Sequence, residues 1–334
     1  MYANTLELIE KNMPQVYPGA VVRFLRKGTQ ETYVFGQASM LPTEEKMTAT
    51  HVFDTASLTK VICTTTVLLK CWDQGMIDMD DSLQYWLPEY KDPSVKIKHL
   101  LTHTAAIHTW IPHRDQLSAE ELKAAYLTLA SDGSAGQRVH YTDTGFILLG
   151  FLLEKLFQKP LTEIFCAQVL VPLGMTNSGF PPFSKAQSSM IVPTQQQANG
   201  QVLRGVTHDP KARILGPHAG NAGLFSTVDD VTAFVQTLIE PASHESPFFS
   251  KRIIEALKQP QTTGDRLRTY GWDLIGPTQQ LFHTGYTGTF MLVDLKEQQA
   301  FIFLSNRVHP QDHRAAYITH RDEIVASYLK EPQT

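Results

Sequence analysis

Short apolar runs with the composition of β-strands lie near both ends of the chain. Two of them, residues 20–25 and 32–35, flank a turn-prone segment at 26–30 and predict a hairpin. Three more runs, separated by turn residues, are found toward the C-terminus at 280–283, 289–294 and 300–305. The pattern therefore predicts a sheet built from the two ends of the chain.

Between these ends the apolar positions recur at i, i+3 and i+4, which is the spacing of α-helices. The helical segments are residues 97–102, 119–130, 145–157, 161–169 and 228–238, and a closing helix is predicted over 314–330. Residues 184–205 are rich in Ser and Gln, so an exposed excursion is predicted there.

Strands at the ends and helices in the middle favour an α+β fold, in which an antiparallel sheet flanked by helices carries an inserted all-helical domain. The sheet subdomain would comprise about residues 1–62 and 255–334, and the helical subdomain about 63–254, within a single unit over 1–334. The cleft between the two subdomains is the expected place for a functional site.

Composition and charge exclude several classes of protein. The chain has 334 residues, 42% hydrophobic and 19% charged, with a net charge of −4. Without a basic stripe, nucleic acid is not an expected partner. No signal peptide is predicted. The longest apolar run covers residues 146–153 and is too short to span a bilayer. The three cysteines lack the paired spacing of a metal or redox motif. We therefore expect a cytoplasmic protein with reduced thiols and no membrane partner.

Candidate metal ligands are present, but their spacing does not support a metal site. The Asp-rich stretch 73–81 lacks the Gly and terminal Glu of an EF-hand loop, so turn and cap roles explain it better. His99 and His103 are four residues apart but lack the Glu of H-E-x-x-H, and His103 is expected to hold a loop by hydrogen bonds. No metal and no cofactor are predicted.

One short stretch places a hydroxyl and an amine one helical turn apart. Ser57 and Lys60 stand at i and i+3, so in a helix their side chains lie on the same face and can meet. A hydroxyl needs such a neighbour to become a nucleophile. The spacing alone is common, however, and a second copy at 327–330 is expected to be the exposed end of the closing helix.

Two further stretches supply what an activated serine needs. Tyr141 and Asp143 lie two positions apart where a loop enters a helix, and His283, Thr284 and Gly285 follow a predicted strand. On its own Tyr141 could equally be a core tyrosine. Together and in this order, the three stretches resemble the S-x-x-K, Y-x-N and K-T-G motifs of the serine β-lactamase and penicillin-binding-protein superfamily.

The resemblance covers nearly the whole chain. The segments 99–104, 172–175 and 220–227 are similar to the superfamily's H-L-L-T-H-T, P-L-G-M and G-G-L-F-S-T stretches. Within the superfamily the chain is most similar to class C β-lactamases, D-alanyl-D-alanine carboxypeptidases and related serine esterases. This resemblance implies a β-lactamase-like fold with the active site in the cleft between the sheet and helical parts.

The resemblance also implies a role for each motif residue. Ser57 would be the acylated nucleophile, Lys60 would accept its proton, and Tyr141 would shuttle the proton to the leaving group. The backbone N–H groups of Ser57 and Tyr286 would form the oxyanion hole. Asp143, His283, Thr284 and Gly285 would bind substrate or support these groups.

Charge raises a difficulty at the lysine. To act as a base, Lys60 must be neutral, so its pKa must fall, and burial or a charged His283 could lower it. An ionised Asp143 would oppose that fall and would make Tyr141 a more plausible base acting through the lysine. His283 itself could contact a substrate carboxylate or only end the strand, and the sequence does not separate these roles.

Departures from the superfamily pattern narrow the expected substrate. Asp143 replaces the usual Asn, and His283 replaces a lysine that would stay charged at neutral pH. We therefore expect a serine hydrolase acting on a small-molecule ester, amide or β-lactam, most simply a small-acyl esterase. A D-Ala-D-Ala carboxypeptidase or weak β-lactamase is the alternative, and a non-catalytic, acylatable sensor is the alternative from another class. No oligomeric state is predicted.

Overall fold

The computed structural model describes residues 2–26, 28–240 and 248–331. Its strands are β1 (Gly19–Arg26), β2 (Thr29–Ser39), β3 (Glu45–Lys46), β4 (Phe53–Asp54), β5 (Phe225–Ser226), β6 (Asp273–Ile275), β7 (Gln280–Gly285), β8 (Thr289–Asp294) and β9 (Gln299–Ser305). Seven of them form one antiparallel sheet in the order β3-β2-β1-β9-β8-β7-β6, while β4 and β5 pair separately. Because β1 pairs with β9, the two ends of the chain meet in the middle of the large sheet.

Helices cover both faces of this sheet. They are α1 (Ala3–Lys11), α2 (Thr66–Asp73), α3 (Leu83–Trp86), α4 (Ile97–Leu101), α5 (Ala119–Leu127), α6 (Thr144–Phe157), α7 (Leu161–Phe165), α8 (Lys185–Met190), α9 (Pro210–Leu215), α10 (Val228–Ile239), α11 (Lys251–Leu257) and α12 (Arg314–Lys330). The terminal helices α1 and α12 pack together over a cluster that includes Phe24, Phe301 and Tyr328. On the other face α10 contacts β1, β8 and β9. All residues of β8 and β9 are therefore buried.

The elements predicted from periodicity are confirmed, including the closing helix with its bounds unchanged. The short strands β4, β5 and β6 were not predicted, because two or three residues carry no periodic signal. Strand β2 continues through Gly36, which has a positive φ of 63°, to Ser39. The excursion at 184–205 is less exposed than expected, since it contains α8 and a bridge from Ile191 to Val52.

The division into two subdomains stays a prediction. The seven-stranded sheet draws its strands from residues 19–46 and 273–305, as that division requires. Across the described ranges, no helix has the length and apolarity needed to cross a membrane.

Candidate active site

Ser57 lies in a turn between β4 and the helical segment that begins at Leu58. The buried carboxylate of Asp54 shapes this turn, because it accepts hydrogen bonds from the N–H groups of Ala56 (2.9 Å) and His208 (2.8 Å). Ala56 has a positive φ of 47°, which is uncommon for a residue with a side chain. The helix then runs as a π-helical stretch, Lys60–Thr65, into α2. Such irregular turns occur frequently at functional sites.

Lys60 is fully buried and uses all three hydrogens of an ammonium group. Its Nζ lies 2.8 Å from Ser57 Oγ, 2.7 Å from Asp143 Oδ1 and 3.0 Å from the Asn221 carbonyl oxygen. Burial lowers the pKa of Lys60, but the charges and hydrogen bonds of Asp143 and Tyr141 together outweigh it, so the pKa is raised. The predicted meeting of Ser57 and Lys60 is confirmed, and Asp143 opposes the fall in the lysine pKa that a neutral Lys60 would need, as expected from its charge. Lys60 is an ammonium in the resting site.

Asp143 is shared by two lysines. Its Oδ1 accepts from Lys60, and its Oδ2 lies 3.0 Å from Lys211 Nζ, which is in turn 2.8 Å from Asp209 Oδ2. Burial would raise the pKa of Asp143, but the two lysines outweigh it and hold that pKa well below its usual range. Sequence reasoning missed Lys211 and Asp209, since no local pattern links them to Asp143.

Tyr141 is held beside this pair by the loop that contains His103. The two rings lie 4.2 Å apart, and Lys60 Nζ is 5.3 Å from the centre of the tyrosine ring. The backbone carbonyl of His103 accepts a hydrogen bond from the N–H of His140 at 2.7 Å, and the ring Nδ1 of His103 accepts one from the N–H of Thr142 at 3.4 Å. The prediction that His103 holds a loop is confirmed. The Tyr141 side chain is 36% exposed, so its phenol faces the cleft.

His283, in the third motif, lies on β7 and lines the same cleft. It is only 2% exposed, and Trp272 packs edge-on against it at 6.2 Å. Burial, reinforced by the charges of Arg268 and Lys60, lowers the pKa of His283 to about 3. The histidine is therefore neutral, as a histidine in place of the motif lysine was expected to be at neutral pH, and it supplies no positive charge to lower the lysine pKa. Trp272 is a packed core residue.

The end of β7 fits tightly against the segment that leads into the Ser57 turn. Thr289 Oγ1 donates to the carbonyl of Thr55 at 3.0 Å, and Thr287 Oγ1 donates to that of Asp54 at 2.6 Å. A side chain at Gly285 would collide with the Thr55 carbonyl oxygen, so the glycine permits this close approach. This contact places the backbone after β7 beside Ser57.

Two backbone N–H groups are available where the strand and the turn meet. In the described part of the chain, neither the Ser57 N–H nor the Tyr286 N–H has a protein acceptor. Ser57 and Tyr286 both line the cleft. Their assignment as oxyanion donors stays a prediction, and their free N–H groups are consistent with it.

Arginines that sequence reasoning did not identify surround the cleft, whose volume is about 250 Å³. The four guanidinium groups belong to Arg266, Arg307, Arg314 and Arg321. Three of them have carboxylate partners, Asp273, Asp312 and Asp322 respectively. Arg314, at the first position of α12, has no ion-pair partner among the described residues, and its guanidinium lies 5.3 Å from the Tyr286 ring. The cleft therefore carries an excess of positive charge.

The remaining candidate residues do not join this site. The second serine–lysine copy lies at the end of α12, as predicted, and Lys330 is exposed there, but Ser327 is half-buried rather than exposed. Within residues 2–26, 28–240 and 248–331, no group of three or more His, Cys, Asp and Glu side chains could hold a metal ion.

Comparison with known proteins gives results that agree with this geometry. A family model described as Beta-lactamase matches residues 6–325. N-acetylmuramyl-L-alanine amidase of Bacillus subtilis is 25% identical over 354 aligned positions, covering 91% of this chain and 80% of that protein. A beta-lactamase/D-alanine carboxypeptidase from Pseudomonas syringae superposes with a TM-score of 0.76 at 17% identity, covering 99% of this chain and 100% of that one. A class C beta-lactamase gives a TM-score of 0.78 at 18% identity, with 99% and 97% covered.

Proposed function

This chain belongs to the beta-lactamase family of serine hydrolases, and we propose that it cleaves small acyl esters through an acyl-enzyme on Ser57. One observation carries the proposal. Ser57 Oγ lies on a cleft, 2.8 Å from the buried Lys60 Nζ and beside Tyr141. A serine hydroxyl becomes a nucleophile when an adjacent group can take its proton, and here Lys60 contacts the hydroxyl while Tyr141 is a second titratable group nearby.

Acylation would begin when Ser57 Oγ attacks the ester carbonyl carbon. The serine O–H bond breaks, its electron pair forms the new C–O bond, and the proton passes to the Lys60–Tyr141 pair. The leaving alcohol would then take a proton from Tyr141 as its bond to the acyl carbon breaks. The free N–H groups of Ser57 and Tyr286 would hold the developing oxyanion, and each such donor contributes about 3–4 kcal/mol in comparable hydrolases.

Deacylation would use the same groups in reverse. A water molecule in the cleft would lose its proton to the Lys60–Tyr141 pair and attack the acyl carbon. The Ser57–acyl bond would then break, and Ser57 Oγ would recover a proton from the pair. The product acid leaves, and the site returns to its starting protonation.

The resting charge of Lys60 determines when this chemistry can start. With Nζ donating to three acceptors, the ammonium has no lone pair for the serine proton. The reactive state must therefore have lost one proton from the Lys60–Tyr141 pair taken as a unit. That deprotonated state becomes more populated as the pH rises. Because the lysine pKa is raised, the increase occurs at a higher pH than it would for an ordinary lysine. The rate of acylation is expected to increase toward alkaline pH.

Three probes with intact-mass analysis test the proposal. Turnover of p-nitrophenyl acetate without a lasting mass change supports the esterase, and a fluorophosphonate should add once, on Ser57. A stable adduct without turnover would support the alternative of a non-catalytic sensor. Absence of any adduct, or an adduct that persists in Ser57→Ala, would contradict the proposal. Ser327→Ala, in the second serine–lysine copy, is the matched control and should label normally.

A second candidate is a carboxypeptidase or weak β-lactamase, which the arginines around the cleft favour. The substrates of such enzymes carry a carboxylate, and the neutral His283 cannot pair with it. Arg314 lies on the cleft with no ion-pair partner among the described residues, so its guanidinium could pair with the substrate carboxylate in place of His283. The fold is also that of a beta-lactamase/D-alanine carboxypeptidase.

Matched substrates separate the two candidates. Hydrolysis of 4-acetoxybenzoate is compared with hydrolysis of its methyl ester, which lacks the negative charge, in the unmodified protein and in Arg314→Gln. A preference for the charged ester that Arg314→Gln removes, together with cleavage of nitrocefin or an acyl-D-Ala-D-Ala peptide, supports the second candidate. Equal rates for both esters and no cleavage of nitrocefin or the peptide support the small-acyl esterase.

A further inference from the structure

We propose that Lys211 is a positioning residue for the activation of Ser57, acting through the carboxylate that it shares with Lys60. The inference rests on the proposed function of Ser57 and adds a residue to the machinery. Lys211 would hold the second oxygen of Asp143 and offset part of the negative charge that Asp143 exerts on Lys60.

The contacts form one continuous chain from the nucleophile. Ser57 Oγ is 2.8 Å from Lys60 Nζ, which is 2.7 Å from Asp143 Oδ1. Asp143 Oδ2 is 3.0 Å from Lys211 Nζ, and Lys211 is 2.8 Å from Asp209 Oδ2. Each carboxylate oxygen of Asp143 thus has one lysine, so the carboxylate cannot turn without breaking an ion pair. Its orientation toward Lys60 depends on Lys211.

Helix stability does not explain the position of Lys211. It lies in the first turn of α9, which starts at Pro210 and is capped by Asp209, whose Oδ1 accepts from the Ala212 N–H at 2.8 Å. A positive side chain is unfavourable at the N-terminal end of a helix, where the helix dipole is also positive. The side chain of Lys211 is 17% exposed, so it is also withdrawn from solvent. Its two carboxylate partners offset both costs.

The charges around the pair determine the sign of the effect. Tyr141 and the neutral rings of His103 and His283 lie on the Lys60 side, and Asp209 and the phenol of Tyr126 lie on the Lys211 side. Burial raises the pKa of Tyr126, which therefore stays neutral. The lysines are thus the two positive charges that contact Asp143, and each makes the other easier to deprotonate. Removing Lys211 leaves the whole Asp143 charge on Lys60 and favours the unreactive ammonium.

The test measures the pH dependence of fluorophosphonate addition to Ser57. In Lys211→Met the pH of half-maximal labelling should rise by about one unit, so labelling is about tenfold slower below that pH and equal to the unmodified protein well above it. Lys211→Arg keeps the charge and should retain the original profile. Lys155→Met removes an exposed lysine from α6 and is the matched control, with no expected change.

Asp209→Asn tests the same inference with the opposite sign. Asparagine can still cap α9, but the charge that faces Lys211 is lost, so the Lys211 charge acts more strongly on the site. The pH of half-maximal labelling should then be lower than in the unmodified protein. This variant also keeps the test open if Lys211→Met does not fold.

A second measurement does not depend on labelling. The lysine side chains are enriched with carbon-13 at Cε, the Lys60 signal is assigned with Lys60→Arg, and its titration is followed by NMR. The Lys60 titration should move upward in Lys211→Met and stay in place in Lys155→Met.

The outcomes separate the two proposals. If the unmodified protein does not label at Ser57, the proposed function fails, whereas the NMR titration still tests Lys211. If it labels, but Lys211→Met shows the unmodified pH profile or the same loss of rate at every pH, the role of Lys211 is overturned. A downward shift in Lys211→Met would also overturn it.

Discussion

Replacing Asp143 with asparagine tests the electrostatic account of Ser57 activation most directly. The substitution keeps the size of the side chain and one oxygen acceptor for Lys60, but it removes the charge that holds Lys60 as an ammonium. It also restores the amide found at this position in the Y-x-N motif. Lys211 retains Asp209 as a partner, so the variant does not leave it without a carboxylate.

The size of the effect follows from the geometry. Unit charges separated by the 2.7 Å between Nζ and Oδ1 attract by about 6 kcal/mol at an effective dielectric constant of about 20. Neighbouring charges typically shift a pKa by about 1–3 units, which is equivalent to about 1.4–4 kcal/mol. We therefore expect Asp143→Asn to lower the Lys60 pKa by about two units. We call the rising part of the plot of reaction rate against pH the limb of the profile. At a pH below this limb, the fraction of the protein whose Lys60–Tyr141 pair has lost one proton would rise by about 100-fold.

The assay is the rate of fluorophosphonate labelling and of p-nitrophenyl acetate turnover across pH. The limb of the profile should move to lower pH in Asp143→Asn, so that the variant reacts faster than the unmodified protein at acidic pH. Asp115→Asn removes an exposed carboxylate elsewhere in the helical part, 65% exposed, and should leave the limb in place. A thermal melt confirms that each variant is folded.

One result would refute this reasoning. If Asp143→Asn is folded and labels at Ser57, but its limb coincides with that of the unmodified protein, then Asp143 does not control the protonation of the Lys60–Tyr141 pair. A limb displaced to higher pH would contradict the sign of the interaction.

Three further predictions concern groups around Ser57. Tyr141→Phe should slow labelling of Ser57 by about 10²–10⁴-fold without changing the melting temperature, and full activity would contradict the proton shuttle. Gly285→Ala should lower the free energy of unfolding by about 1–3 kcal/mol in denaturant titrations, because its methyl group meets the Thr55 carbonyl, and unchanged stability would show that β7 can shift. Burial raises the pKa of Asp54 from 3.8 to about 6, so its contribution to stability is present below about pH 4 and is lost as the pH rises through about 6. Asp54→Asn should remove about 3 kcal/mol of that pH dependence, and an unchanged slope in denaturant titrations would contradict it.

Local patterns predicted most of the fold, because periodicity records which face of an element is buried. The five apolar runs and the closing helix at Arg314–Lys330 are found where they were expected. Strands β4 and β6 were missed, since two or three residues give too short a pattern. Both lie near the site, so the missed elements are among those that shape it.

The sequence by itself determined the chemical core of the site. Ser57 and Lys60 are one helical turn apart, so forming the helix brings them to the same face without help from the rest of the chain. The motif order then predicted that Tyr141 and His283 would join them, and the cleft contains both Tyr141 and His283.

Only the tertiary structure decided the charges. A pKa depends on burial and on charges from every element packed around the group, and no local spacing encodes that sum. Lys60 is an ammonium because Asp143 reaches it from the start of α6, and His283 is neutral because β7 is buried. Lys211 reaches Asp143 from α9, distant in the sequence, and completes a network that only the folded chain assembles.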